Sequence, residues 1–424
     1  MAGPMGLVLL ALVLASAPTQ IFAESSALDA QFSPGDDLAD EVEKEIRRFA
    51  REAAERADTE AREKPIFKDR STPPLWQANS TVSTFAEIQD APTKLAVEAK
   101  SGRVFFAPHA FSAPDREQGQ GFLSEWVESK QQAIAFPSEE FQDEIRQGIA
   151  ALAMDNIRGW LLVLDANPYI YAGPSVLFVV EVASGNVLHR FELDEQLVGE
   201  ITPTNMVICP RSQFVFIANN GAHSGVPSLL VIDIHVWKVR KLLEDHEAVQ
   251  QRDVLPILNN REPIEYPWRF GLTSLAIDAR NKRLILGSMF GDLLYSIPLR
   301  TLQAATRSLP EDELWAQVQI LGPKTVSDAI DVDPATGNIY VTDFEHSALS
   351  LIEPAQGWSV MTLVQSEDLL RWPSDLVIVN GHAYVACSAL DKIMEGDHKI
   401  RAGPFHILRM PLYKEAPVPV HDEL

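Results

Sequence analysis

Cysteine is almost missing from this sequence: Cys209 and Cys387 are the two in 424 residues. That excludes a small scaffold stapled by many disulfides. Both lie in apolar, strand-like runs, so two states stay open, a pair in an oxidising compartment or free thiols in a packed core. Basic residues are also short, 36 Lys and Arg against 59 Asp and Glu, for a formal net charge of −23. A surface that acidic repels phosphate backbones and anionic headgroups, so neither nucleic acid nor a lipid surface is an expected partner. After the first apolar run, no stretch approaches the roughly 20 residues that a membrane-spanning helix needs. Nucleophile elbow, zinc-ligand spacing and phosphate-binding loop are all lacking, so no motif assigns a reaction.

The two ends carry address signals. Leu7–Ala15 is apolar and is followed by small residues at Ala15-Ser16-Ala17 and Ile21-Phe22-Ala23. This predicts a signal peptide over residues 1–23, although no Lys or Arg precedes the run. The last four residues are His421-Asp422-Glu423-Leu424, a retrieval signal read by a receptor, at the end of a Pro-containing tail over 414–424. Together these predict entry into the secretory pathway and residence in the lumen of the endoplasmic reticulum, with the retrieval receptor as a partner. Asn79-Ser80-Thr81 is a glycosylation sequon. Between them, residues 24–75 form a predicted helical or flexible extension. Leu38, Val42, Ile46, Phe49 and Ala53 recur at spacings of three and four behind a Ser33-Pro34-Gly35-Asp36 start signal. Such a narrow stripe either packs on the rest of the chain or docks a partner.

Residues 76–413 change texture to short β-type runs separated by Gly, Pro, Asn and Asp. One hairpin recurs through them. Its copies are Thr93–Pro108, Ala150–Asp165, Asn205–Asn219, Thr273–Ser288, Asp328–Asp343 and Asp375–Cys387, starting 57, 55, 68, 55 and 47 residues apart. Each spacing leaves room for two further strands, such as Leu229–Ile234 and Leu349–Ile352. Six units of four strands predict an all-β, six-bladed β-propeller carrying the N-terminal helical extension. The terminal run Phe405–Met410 is expected to complete a blade begun elsewhere, since ring closure removes exposed sheet edges.

Several stretches then point to a family. Trp268-Arg269-Phe270-Gly271 leads into the run from Ser274 to Leu302, Val326–Leu351 forms the next unit, and Leu369–Asp375 introduces the last. With Gly102–Phe105, Ala135–Phe141 and Trp160–Asp165 in the first two units, the order resembles the major royal jelly/Yellow family. The resemblance implies a six-bladed propeller that binds small amines or rearranges oxidised catechols. More distantly the chain resembles gluconolactonase and paraoxonase propellers, which hold a divalent metal with Asn, Asp and Glu at the channel.

Equivalent positions in successive units of a propeller form a ring around one axis. The lead position reads Thr93, Ala150, Asn205, Thr273, Asp328 and Asp375. Asn205, Asp328, Asp375 and Thr273 are the candidate ligand or metal residues. Oxygen donors of this kind suit one divalent ion such as Ca²⁺, and Asn205 and Asp328 match the metal pattern of the distant relatives best. Thr273 and Ala150 depart from it. Asp and Asn at strand starts also cap turns through nearby backbone N–H groups, with no ligand required. Asp165, Asp343 and His346 read as turn and structural residues. The expected activity is small-ligand binding at the channel mouth. A metal-dependent lactonase-like hydrolase or catechol-type isomerase, and a luminal interaction scaffold, are the alternatives.

Overall fold

The second strand of each repeat is rich in apolar residues, with no polar alternation. Val104–Pro108 (VFFAP), Phe214–Asn219 (FVFIAN) and Ile339–Asp343 (IYVTD) are buried at every position. A strand apolar on both sides must be covered on both faces, which a stack of sheets around an axis provides. The computed structural model describes residues 82–412 apart from 109–122, 168–172, 198–199, 210, 212, 223, 252–253, 255, 259–269 and 392–403. The expected signal peptide, helical extension, sequon Asn79 and retrieval signal His421–Leu424 lie outside the described residues.

Strand β1 (Ser83–Ile88) comes first and is followed by the blades in chain order. Blade 1 is β2 (Pro92–Val97), β3 (Val104–Pro108), β4 (Ser124–Val127) and β5 (Gln132–Ala135). Blade 2 is β6 (Ile149–Asp155), β7 (Trp160–Asp165), β8 (Val176–Glu181) and β9 (Val187–Glu192). Blade 3 is β10 (Pro203–Cys209), β11 (Phe214–Asn219), β12 (Ser228–Asp233) and β13 (Lys238–Leu242). Blade 4 is β14 (Leu272–Asp278), β15 (Arg283–Ser288), β16 (Leu293–Pro298) and β17 (Gln319–Pro323). Blade 5 is β18 (Ile330–Val332), β19 (Ile339–Asp343), β20 (Ala348–Glu353) and β21 (Ser359–Gln365). Blade 6 is β22 (Pro373–Val379), β23 (His382–Cys387) and β24 (Phe405–Pro411), with β1 as its outermost strand.

All six sheets are antiparallel meanders, and their first strands β2, β6, β10, β14, β18 and β22 adjoin one another in a closed circuit. Each of the six repeats seen in the sequence is the inner hairpin of a blade. The turns use the expected chemistry: Asn380 (φ 50°) and Gly381 (φ 72°) form one, and Gly337 (φ 81°) closes Pro334–Asn338. Apolar side chains fill the seams between blades. Phe105, Phe141 and Phe178 pack between blades 1 and 2, Phe216 and Leu286 between 3 and 4, and Tyr340 and Leu408 between 5 and 6.

The closing strand differs from the sequence-based expectation. Phe405–Pro411 is the third strand of its own blade, and β1 from the opposite end of the chain supplies the fourth. The pairing runs from Ser83 opposite Arg409 to Ile88 opposite Phe405, and Phe85 meets the Tyr384 ring edge-on at 5.4 Å. Ala86 on this strand is buried, whereas Glu87 is exposed. A carboxylate at Ala86 would sit unpaired in a packed seam. We expect Ala86→Asp to lower unfolding stability by about 3 kcal/mol or more, read from denaturant midpoints, while Glu87→Gln stays within about 0.5 kcal/mol of the parent.

Candidate functional site

Five of the inner strands shift register at their second residue, at Thr93, Ala150, Thr204, Thr273 and Ser374. A bulge re-aims the side chains beside it, and here it splits the expected single ring into two adjacent tiers. Thr93, Ala150, Thr204, Thr273 and Ser374 form the first, with Asp328, two residues before β18, in the equivalent place. Lys94, Ala151, Asn205, Ser274 and Asp375 form the second, each opposite a residue of the neighbouring strand in its own blade. Of the four candidates, Thr273 and Asp328 therefore lie in one tier, and Asn205 and Asp375 in the next. All four are at the same end of the channel.

Two of them carry unsatisfied polar atoms. Asn205 Oδ1 and Thr273 Oγ1 are buried and have no hydrogen-bond partner among the described residues. A native fold rarely leaves such atoms unpaired, because each costs about 1–3 kcal/mol when desolvated. The candidates on blades 5 and 6 are arranged differently. Asp375 Oδ2 accepts the Leu95 amide of β2 at 2.7 Å while Oδ1 accepts its own neighbour Leu376 N–H at 2.9 Å. Asp331, one blade back, repeats the device, with Oδ2 on the Ile378 amide of β22 at 2.7 Å and Oδ1 on Val332 N–H at 2.8 Å. Each carboxylate thus joins the open edge of one inner strand to the next. Asp328 Oδ2 accepts the Trp372 indole N–H at 3.3 Å, and Trp372 stacks on Phe344 with ring centres 4.3 Å apart.

Charge in this channel is concentrated on blades 5, 6 and 1. Burial pushes the Asp328 carboxyl up to about 6, against the pull of the Lys94 ammonium, the Trp372 hydrogen bond and Lys324, with Asp375 adding to the rise. Burial raises Asp331 to about 7, opposed by its two amide bonds. Asp375 is also raised by burial, with Lys94 the main opposing influence. Lys324 is buried and donates from Nζ to Thr325 O at 3.0 Å and Ser327 Oγ at 2.9 Å.

The loops after the second strands frame the same end of the ring. Asp165 accepts the amides of Arg146 and Gln147 at 3.0 and 2.8 Å. Asp343 Oδ1 accepts the His346 amide at 3.1 Å, and the carboxylate contacts His346 Nδ1 at 2.8 Å. Both aspartates are turn residues, as the sequence implies. Asn219 acts in the same way, accepting Thr202 N–H at 2.7 Å and donating to Ser228 Oγ at 2.9 Å.

Among the described residues no group of three or more His, Cys, Asp or Glu side chains is placed to hold an ion. Both candidate carboxylates instead feel the ammonium of Lys94, which supplies cationic charge from within the chain. Lys94, Asp331, Lys324 and Trp372 are the site residues that sequence reading missed. Lys94 follows Thr93, the residue taken as the lead of its repeat, and only the bulge puts it beside the carboxylates.

A closed circuit of six four-stranded blades, polar at one mouth of its channel, defines the class as a six-bladed β-propeller. Within that class the chain belongs to the major royal jelly protein family, whose pattern matches residues 163–417. The match starts within β7, so blade 1 and the first strand of blade 2 precede it. No curated protein matches the chain. Among solved structures, a luciferin-regenerating enzyme is 11% identical with a TM-score of 0.51, covering 78% of this chain and 95% of that one. A gluconolactonase from Xanthomonas campestris is 9% identical with a TM-score of 0.49, covering 82% and 97%. The calcium-binding regucalcin from Agrobacterium tumefaciens is 14% identical with a TM-score of 0.47, covering 81% and 100%. At these identities the likeness is one of fold alone.

The raised carboxyl of Asp328 has a stability consequence. A group whose folded pKa exceeds its unfolded value binds extra protons in the folded state, so stability falls as pH rises from about 4 to about 6 and stays reduced above. Asp328→Asn removes that charge and keeps an acceptor for the Trp372 indole. The variant should gain about 1–2 kcal/mol over the parent at pH 8 and lose the advantage below pH 4, as denaturant melts at the two pH values will read.

Proposed function

We propose that this protein binds a small organic ligand at the channel mouth, one whose N–H or O–H groups donate to Asn205 Oδ1, Thr273 Oγ1 and Asp328. The observation that carries this reading is the pair of buried, unpartnered oxygens on neighbouring inner strands. A ligand donor at each would remove the desolvation penalty that the free protein bears there. Asp328 takes part through its carboxylate, which is half ionised near pH 6 and so accepts best above it. Family membership favours amines and catechols as first candidates, an analogy of family rather than of site.

Lys94 gives the site its second property. An ammonium beside Asp328 and Asp375 offsets their charge, so a neutral or singly charged ligand can enter without meeting two uncompensated carboxylates. A metal-assisted hydrolase finds less support, because the cation it needs would compete with Lys94. Residence in the endoplasmic reticulum lumen remains part of this proposal on the strength of the two terminal signals and the sequon Asn79.

Thermal-shift measurements with dopamine, catechol and tyramine test the ligand reading. We expect at least one to raise the melting midpoint of the parent, and Asn205→Leu or Thr273→Val to abolish the shift while melting at the parental temperature. A flat response from the parent to all three, or a shift that survives both variants, would refute it. Mass spectrometry of protein purified without chelator decides the metal: about one Ca²⁺ per chain, lost in Asp328→Ala and Asn205→Ala, would restore the hydrolase reading. For the compartment, removing His421–Leu424 should move the protein from cell extract to medium; retention without these residues would remove the retrieval step.

A further inference from the structure

On the opposite end of the barrel of blades, the seam between blades 4 and 5 holds a cavity of about 400 Å³. Its walls include Asn281, Arg283, Ser296, Gln319 and Trp358. Trp358 reaches it from the β20–β21 turn with φ 65°, a conformation rare for a bulky residue, and its Cβ packs where Gly322 of β17 has none. A side chain at Gly322 would meet that Cβ at 2.9 Å. Trp237 occupies the corresponding turn of blade 3, also at positive φ, and there the seam is filled: its ring stacks on His189 at 3.6 Å. Blades 4 and 5 use the same wedge and leave a space instead.

Arg283 faces that space already oriented. Its Nε donates to Asp278 Oδ2 at 2.9 Å, and its guanidinium lies over the Trp358 ring, 5.4 Å from the ring centre. Asp278 is 1% exposed and is held in turn by Asn281, through N–H at 3.0 Å and Nδ2 at 2.7 Å. The terminal N–H groups of Arg283 have no partner among the described residues. Arg103 and Arg158, in the matching turns of blades 1 and 2, each use a terminal nitrogen on a carboxylate at 2.6 Å. Arg280 and Lys282 add exposed positive charge beside the cavity in a chain of net charge −23.

The geometry points to a second binding site here, for a small organic anion whose acid group takes the free fork of Arg283 and whose flat body lies along Trp358. A carboxylate matches the paired N–H groups of a guanidinium, which is the strong form of this bond. Ser296 and Gln319 offer further hydrogen-bonding groups on the wall. The site stands apart from the channel mouth and does not depend on it. General anion attraction is weak for so acidic a surface, so uptake of an anion here must come from the local cations.

Calorimetric titration with benzoate, and with benzyl alcohol as its uncharged counterpart, tests the assignment. The full chain should bind benzoate and not benzyl alcohol. Arg283→Lys, which keeps charge but loses the fork, should weaken benzoate about tenfold or more. Gln319→Glu places a carboxylate on the cavity wall at an exposed position, where folding is not at risk, and should weaken it by a similar factor. No benzoate binding by the folded parent, or equal binding of benzyl alcohol, would overturn the proposal. So would undiminished affinity in Gln319→Glu.

Discussion

The hydrogen-bond ladder between β1 and β24 turns a row of six sheets into a ring. Everything at the channel mouth depends on that closure, because it brings β22 of the last blade against β2 of the first. Across this junction Asp375 takes the Leu95 amide at 2.7 Å, and one junction earlier Asp331 takes the Ile378 amide at 2.7 Å. The innermost strand of any propeller blade has one unpaired edge, and a buried unpaired amide is costly. These two aspartates satisfy part of that edge with carboxylate oxygens.

That solution has an electrostatic price. Three carboxyls, Asp328, Asp331 and Asp375, gather on adjoining strands; desolvation raises all three and Asp375 adds to the rise of the other two, so ionising all of them at neutral pH is unfavourable. Lys94 and Lys324 moderate the field without removing it. The result is an uneven ring. Blades 5, 6 and 1 contribute charge, while blades 3 and 4 contribute the neutral oxygens of Asn205 and Thr273. A ligand bound as proposed would meet a charged wall on one side and uncharged acceptors on the other, which would orient it.

Most of the fold was legible in the sequence because its signal is repetition. Each quoted hairpin became the inner pair of a blade, and the turns at Gly337 and Asn380-Gly381 announced their own backbone conformation. Strand β1 was not legible: Ser83–Ile88 (STFAEI) is short, polar at its start and far from its partner in sequence. The site was legible only in part. Asn205, Thr273, Asp328 and Asp375 do share one end of the channel, but the bulges that divide them into tiers leave no mark on residue type. Lys94 and Asp331 escaped because a charged residue inside a strand ordinarily reads as a solvent-facing position. Whether Cys209 and Cys387 pair also needed the fold: they lie on β10 and β23 with no disulfide between them, and burial raises the pKa of Cys387.

The use of β1 as the outer strand of blade 6 also sets an order of events. It is the first blade strand to be made and its partner β24 is the last, separated by more than three hundred residues of intervening chain. Such a pairing has very high contact order, and its loop-closure cost falls due only at the end of synthesis. Until then the nascent protein is an open arc whose two ends are bare strand edges, the surfaces on which misassembly and chaperone capture act.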